Sequence, residues 1–167
     1  DVNARLRKDL ATLNLTNLAG RFAYTQNAQQ RRLVTQGLQG QFASPRVRLA
    51  PTDLELTLQA SAGSSMGQGA LKANQIDLGA VVALAAALPL PEADRERLRT
   101  WMPAGVLSAV EARWEGLEQP GRRFSLRGRF VDLSWRAVDY VPGANGLTGS
   151  LDATETGGTL SIDSGKS

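Results

Sequence analysis

A chain of 167 residues with 42% hydrophobic and 21% charged residues is long enough to bury a core as one domain, and its composition excludes disorder throughout. It contains neither cysteine nor histidine, which removes thiol chemistry, disulfides, imidazole bases and the usual zinc sites, so no cofactor and no metal is expected. A net charge of +3 is too small an excess to mark a nucleic-acid partner.

Seventeen glycines against nine aromatics, with frequent Ser, Thr and alternating Leu, favour many strands joined by turns over a helical bundle. Taken along the chain, a strand type recurs: Leu18-Ala19-Gly20-Arg21-Phe22, Leu38-Gln39-Gly40-Gln41-Phe42, Leu126-Arg127-Gly128-Arg129-Phe130 and Leu147-Thr148-Gly149-Ser150-Leu151 all read Leu-x-Gly-x-Phe/Leu. Successive side chains of a strand point to opposite faces, so Leu, Gly and Phe share one face and Arg, Gln, Thr and Ser take the other. Glycine in the middle of the apolar face lets a neighbouring backbone or a ligand approach closely, or marks a bulge. The spacing is irregular, so this is a strand type and not a repeat of fixed period.

Leu54, Leu56, Leu58 and Ala60 alternate with Asp53, Glu55, Thr57 and Gln59 in the same manner. The pattern then changes. Asp77 is placed to cap a helix from Leu78 to about Leu88 that is apolar on most sides and stopped by Pro89 and Pro91. A second, charged helix is expected from about Glu92 to Trp101, with its acids early and its arginines late, as the helix dipole favours. A helix that is apolar all round must be covered or must cover something, and the apolar face of the sheet is the simplest partner. The apolar run ends at Leu90 and falls short of the ~20 residues that span a bilayer.

Alternation resumes at Val106, Val110, Ala112 and Trp114, followed by a turn near Glu118-Gln119-Pro120-Gly121. From Phe124 to Phe130 the apolar positions are even-numbered, and then they become Val131, Leu133 and Trp135; a bulge near Phe130 and Val131 reconciles the two phases. Leu147 to Ala153, the stretch Thr154 to Gly158, and Thr159 to Asp163 read as a hairpin with a glycine-containing loop. The terminal Gly165-Lys166-Ser167 is no phosphate-binding loop, because Leu160 stands where that loop needs its first glycine. Arg122, Arg123, Arg127, Arg129 and Arg136 read as a solvated sheet face, and Trp101, Trp114 and Trp135 as packing anchors.

The fold expected from these residues is mainly β (α+β): a long antiparallel curved sheet with one apolar face and a helical pair inserted around residues 78–102. The whole of residues 1–167 forms one β-rich domain, an excised piece of something longer. The apolar face, whether core or groove, carries Leu54, Leu56, Leu58, Val110, Trp114, Phe124, Leu126, Phe130, Leu147, Leu151, Leu160 and Ile162.

The run from Leu78 to Pro91, Trp101-Met102-Pro103-Ala104-Gly105-Val106-Leu107, Trp114-Glu115-Gly116, Phe124-Ser125-Leu126, Trp135, Val141-Pro142-Gly143, Leu147-Thr148-Gly149-Ser150-Leu151 and Gly157-Gly158-Thr159-Leu160 resembles the central region of YhdP-type proteins. These belong to the AsmA-like group of bacterial envelope proteins. The resemblance implies a very long periplasmic protein, held in the inner membrane by a helix outside this sequence. In it, repeated β modules form an apolar groove that lets phospholipids pass towards the outer membrane. It carries no catalytic signature.

Three functions compete on the residues themselves. A lipid-conducting module would present Leu, Phe, Val and Ile to acyl chains and keep its arginine-rich face wet, with phospholipid and neighbouring β modules of the same chain as partners. A scaffold would use its sheet edges to stack on neighbours or recruit an envelope protein. An enzyme would need carboxylate pairs such as Asp152 with Glu155 or Asp132 with Asp139 as acid and base; these sit where solubility and turn formation explain them, so no catalysis is expected.

Overall fold

The computed structural model describes residues 2–4, 13–43, 46–61, 64–87, 92–116, 121 and 123–163. They form one nine-stranded antiparallel sheet in which every strand pairs with its neighbours in sequence: β1 (Val2–Ala4), β2 (Leu13–Gln26), β3 (Gln30–Phe42), β4 (Val47–Ser61), β5 (Ser64–Asp77), β6 (Ala104–Glu115), β7 (Arg123–Trp135), β8 (Ala144–Thr154) and β9 (Gly157–Ile162). Two helices stand between β5 and β6, α1 (Leu78–Leu84) and α2 (Glu92–Trp101). The sheet is open and curved, as the alternating sequence predicts. The β8–β9 hairpin forms where expected but closes over Glu155 and Thr156 alone, with Gly157 and Gly158 inside β9 and not in the loop.

Curvature comes from bulges. Register shifts interrupt five strand pairings, and the extra residue of several of these bulges takes a positive φ: Asn17 at 53°, Gly37 at 57°, Ala109 at 49° and Asp132 at 53°. All four lie in the half of their strand nearer the helices, where the extra residue bends the strand and sharpens its twist. The phase change read between Phe130 and Val131 is one of them: the β7–β8 register shifts between Phe130 and Leu133, and both residues face the same side. The bulge at Ala109 corrects one expectation. Val106 is paired with Val131 and is 37% exposed, on the face opposite Val110, Ala112 and Trp114, because the extra residue reverses the alternation below it.

Asp77 caps α1 as predicted, its Oδ1 accepting the N–H of Ala80 at 3.0 Å. The helix stops at Leu84, earlier than the expected Leu88, because the chain tightens into i→i+3 bonds from Ala85 N–H to Val82 and from Ala87 N–H to Leu84. The stretch from Leu88 to Pro91, Glu118, Gln119 and Pro120 of the turn expected before Gly121, Arg122 and Gly165-Lys166-Ser167 lie outside the described residues. α2 matches its predicted span and carries three i,i+3 ion pairs, Glu92–Arg95, Asp94–Arg97 and Glu96–Arg99, yet buries no residue.

This is a thin molecule. Its accessible surface is 11197 Å² for 17.8 kDa, whereas a compact globule of that mass exposes ~8,000 Å². The buried apolar residues among those described are Phe42, Ala73, Ala80, Leu84, Ala85, Ala87, Val110 and Phe130. Half are alanine, so most large apolar side chains stay partly exposed on a single layer of sheet.

Candidate functional site: the apolar face of the sheet

Cross-strand register identifies which residues share a face, since directly opposed residues point the same way. Following the pairs Tyr24–Leu33, Leu33–Leu56, Leu56–Leu71, Leu71–Ala112, Ala112–Leu126, Leu126–Ala153 and Ala153–Gly158 traces one row across eight strands. Apart from the Tyr24 hydroxyl it holds no polar side-chain atom. A neighbouring row runs Phe22, Thr35, Leu54, Ala73, Val110, and Gly128, Leu151, Leu160 continue it on β7 to β9. A third holds Leu58, Gly69, Trp114 and Phe124.

All twelve residues predicted for the apolar face therefore lie on one side, but in unequal settings. Val110 and Phe130 are buried. Leu54, Leu56, Leu58, Trp114, Phe124, Leu126, Leu147 and Leu151 are half-buried, while Leu160 and Ile162 on β9 are 43% and 54% exposed. Sequence reasoning missed Leu33 and Leu71 in the middle of the first row and the exposed Tyr24 at its margin, whereas Phe22, placed on this face by the Leu-x-Gly-x-Phe pattern, lies in the second row and is also exposed. Leu33 is preceded by two arginines and Leu71 sits between Ala70 and Lys72, so neither stretch alternates cleanly; only the pairing partner reveals their side.

Glycine on this face accommodates rings. A methyl group on Gly69 would overlap the indole of Trp114, which lies across the β5–β6 ladder from it. One on Gly149 would meet Phe130 Cζ at 2.8 Å and the backbone oxygen of Ser161. The aromatic rings thus lie down over glycines and fill the lining from within the sheet. Trp114 Nε1 is buried without an acceptor, so packing alone holds its ring, whereas Trp135 Nε1 donates to the Pro142 carbonyl at 3.0 Å.

The opposite face is mainly polar and ordered by charge, with the exposed Val106 and Val131 as apolar exceptions at its helix end. Arg32, Glu55, Lys72, Glu111, Arg127 and Asp152 stand on six consecutive strands, β3 to β8, with alternating sign. The contacts are Arg32 Nη2–Glu55 Oε1 at 2.8 Å, Lys72 Nζ–Glu111 Oε1 at 3.7 Å and Arg127 Nε–Asp152 Oδ2 at 2.9 Å; Arg129 reaches Asp163 at 3.7 Å. These exposed pairs each stabilise little, but they place Arg127 and Arg129, with Arg123 beside them on β7, on a solvated face.

Of the carboxylates considered as acid–base pairs, Asp152 and Glu155 are engaged elsewhere. Asp152 is paired with Arg127. Glu155 Oε2 accepts the Phe124 N–H at 3.2 Å, and bonding to its own backbone N–H, then to that of Phe124, with help from the Arg123 charge, holds its carboxyl below the usual glutamate range against a small effect of burial. A depression of about 540 Å³ at this end of the sheet is lined mainly by polar-face residues, including Gln59, Gln68, Arg113, Glu115 and Arg123. Gln68 already bonds Glu115 there at 3.0 Å.

The model of the YhdP protein family matches residues 1–167. The chain belongs to the YhdP family. Membership agrees with the resemblance carried by the Trp101–Leu107 and Leu147–Leu151 segments and makes this an AsmA-like envelope protein. No curated protein and no solved structure gives a significant match. Among the described residues, no helix is long and apolar enough to cross a membrane.

Proposed function

We propose that this chain is a non-catalytic periplasmic module of a YhdP-family protein, and that its apolar sheet face carries phospholipid acyl chains between the inner and outer membranes. The observation that supports this is the uncovered row from Tyr24 to Ala153, aliphatic over most of its length and partly exposed in every large member. A globular protein would bury such a row under a second layer. Acyl chains laid along it gain ~2.5 kcal/mol for each 100 Å² of apolar area removed from water, and no special residue is needed to hold them. The head group stays at the wet margin.

The scaffold reading draws on one observation of its own. β9, Gly157–Ile162, is exposed along its whole length and carries neither a charge nor a proline, the devices by which edge strands usually avoid further pairing. In the proposed function that edge receives the next β module of the same chain, so the sheet and its apolar face continue. Charged substitutions distinguish the two readings. Leu126→Asp and Leu151→Asp in the full-length protein abolish phospholipid transport while the protein accumulates normally; normal transport by these folded variants overturns the conduit and leaves the scaffold. Phospholipid identified by mass spectrometry in the purified protein supports the conduit directly.

A further inference from the structure

The apolar face is not uniform along the strands. At its helix end α1 lies on it: Leu84 and Ala87 pack with Phe42, and Val47 and Leu49 close the cluster. Phe42 is opposed to Val47 and Gly40 to Leu49 across β3 and β4, so these residues belong to the same face as Leu33, Leu54 and Leu56, further along the same two strands. α1 also touches β5 and β6. At the other end, none of Leu33, Leu56, Leu71, Ala112 and Leu126 belongs to that cluster and every one of them is partly exposed. One largely aliphatic surface, with Thr35 as the polar member of its second row, is thus occupied in one half by an aliphatic segment of the chain itself and, among the described residues, left open in the other.

Resting on the lipid reading above, we infer that α1 is a built-in stop that divides this face into a closed strip and an open lane, and that acyl chains travel only in the lane, across the strands. Three features support the division. α1 consists of Leu, Val, Ala and one Gly with no charge, so what it lays on the sheet is chemically close to a hydrocarbon chain, and the surface it covers is continuous with the lane. It is fixed at a set height along the strands, because it follows β5 directly and Asp77 caps its first turn. Its seat is nevertheless light: Leu84 is its one large buried side chain, beside Ala80. The lane itself crosses eight strands, or seven spacings of ~4.8 Å, about 34 Å in all. That is roughly twice the ~15 Å depth of one leaflet's hydrocarbon, so acyl chains can lie end to end in it without reaching under the helix.

The test places the photoreactive residue p-benzoylphenylalanine, one site at a time, at Leu56 and Leu126 in the lane and at Val47 and Leu49 under α1. The full-length protein is used, in cells whose phospholipids are labelled with radioactive phosphate. Labelled lipid adducts form at the two lane positions and at least ten-fold less at the two covered positions. In a Leu84→Asp background, labelling at Val47 and Leu49 rises towards the lane level. Equal labelling at all four sites in the unaltered helix overturns the stop while leaving the conduit in place; labelling at none removes the conduit and the stop with it. The four-site comparison stands even where Leu84→Asp fails to accumulate, and in that case Leu84→Ser repeats the second arm with less disturbance.

Discussion

The pairing of Gly69 with Trp114 permits a quantitative test of how the apolar face is built. Gly69 adopts no positive φ, so its backbone accepts alanine, and the obstacle to a methyl group is the indole alone: the three nearest atoms are Cζ2, Cε2 and Nε1 of Trp114. Gly69→Ala therefore forces the ring off its seat, an overpacking cost of ~1–3 kcal/mol. Trp114→Ala removes a large but only half-buried side chain and destabilises by no more than the lower end of the ~3–5 kcal/mol typical of Trp in a closed core. With the ring gone, Gly69→Ala meets no obstacle and relieves the conformational freedom of glycine in a strand, a gain of ~0.5–1 kcal/mol. The same substitution thus changes sign between the two backgrounds, and the coupling energy is about 1.5–4 kcal/mol.

Urea denaturation of the four proteins of this cycle, followed by circular dichroism at constant m-value, measures that coupling. A Gly69→Ala cost that is the same with and without Trp114 would refute the claim that the glycine exists to seat the ring. The outcome bears on function because a ring lying flat adds apolar area to the face without rising from it. In the Gly69→Ala protein the displaced ring would stand as an obstruction beside Leu58 and Phe124.

Phe130→Ala, which empties the site of a side chain only 1% exposed, lowers the free energy of unfolding by ~3–5 kcal/mol, whereas Phe124→Ala, half-buried, costs visibly less in the same denaturation experiment. Glu111→Lys places three cations side by side between Lys72 and Arg127 and costs ~0.2–1 kcal/mol, a loss that largely disappears in 1 M salt because these groups are exposed. Glu155 has a folded pKa below its unfolded one, so its contribution is complete above the ordinary glutamate range and is lost as pH falls through the lowered folded value. In thermal melts across acid pH, wild type and Glu155→Gln converge as that proton binds; curves that stay parallel would show that its bonds to the Phe124 and Glu155 N–H groups carry no charge-dependent stability.

Which parts of this structure can be read from the chain depends on how local their causes are. Both helices, the capping Asp77 and the phase change after Phe130 are legible because each is written in a few consecutive residues: an apolar run between a cap and prolines, or an alternation that visibly shifts by one. Two-sidedness is legible for the same reason. The bulge at Ala109 is not, since alanine gives no hint of a positive φ and the shift there hides in a stretch, Val106 to Val110, that also fits an unbroken alternation. Leu33 and Leu71 are hidden because their flanks do not alternate and their side is set by Leu56, between them in the sheet and remote in sequence. Close approach at strand glycines does occur, and at Gly69 and Gly149 the approaching group includes an aromatic ring of the protein itself.

Alternation alone does not determine this sheet. A strand that slips by one residue turns its leucines outward, but a slip of two keeps every apolar residue inside and is invisible to the hydrophobic pattern. The charges on the other face can detect it. In the observed register Arg113 faces Ser125, and Glu111 faces Arg127. Sliding β7 by two residues either way against β6 sets Arg113 opposite Arg127 or opposite Arg123, like charges in direct opposition, and moves the bulge at Ala109 away from Gly128, where a Cβ would come within 3.3 Å of the Ser108 carbonyl. The row from Leu33 to Leu126 is straight only if each of its ladders is in register. The polar face, which touches no lipid in the proposed function, is thus what keeps the lane continuous, and the alternating charges matter more for where the strands sit than for how strongly they are held.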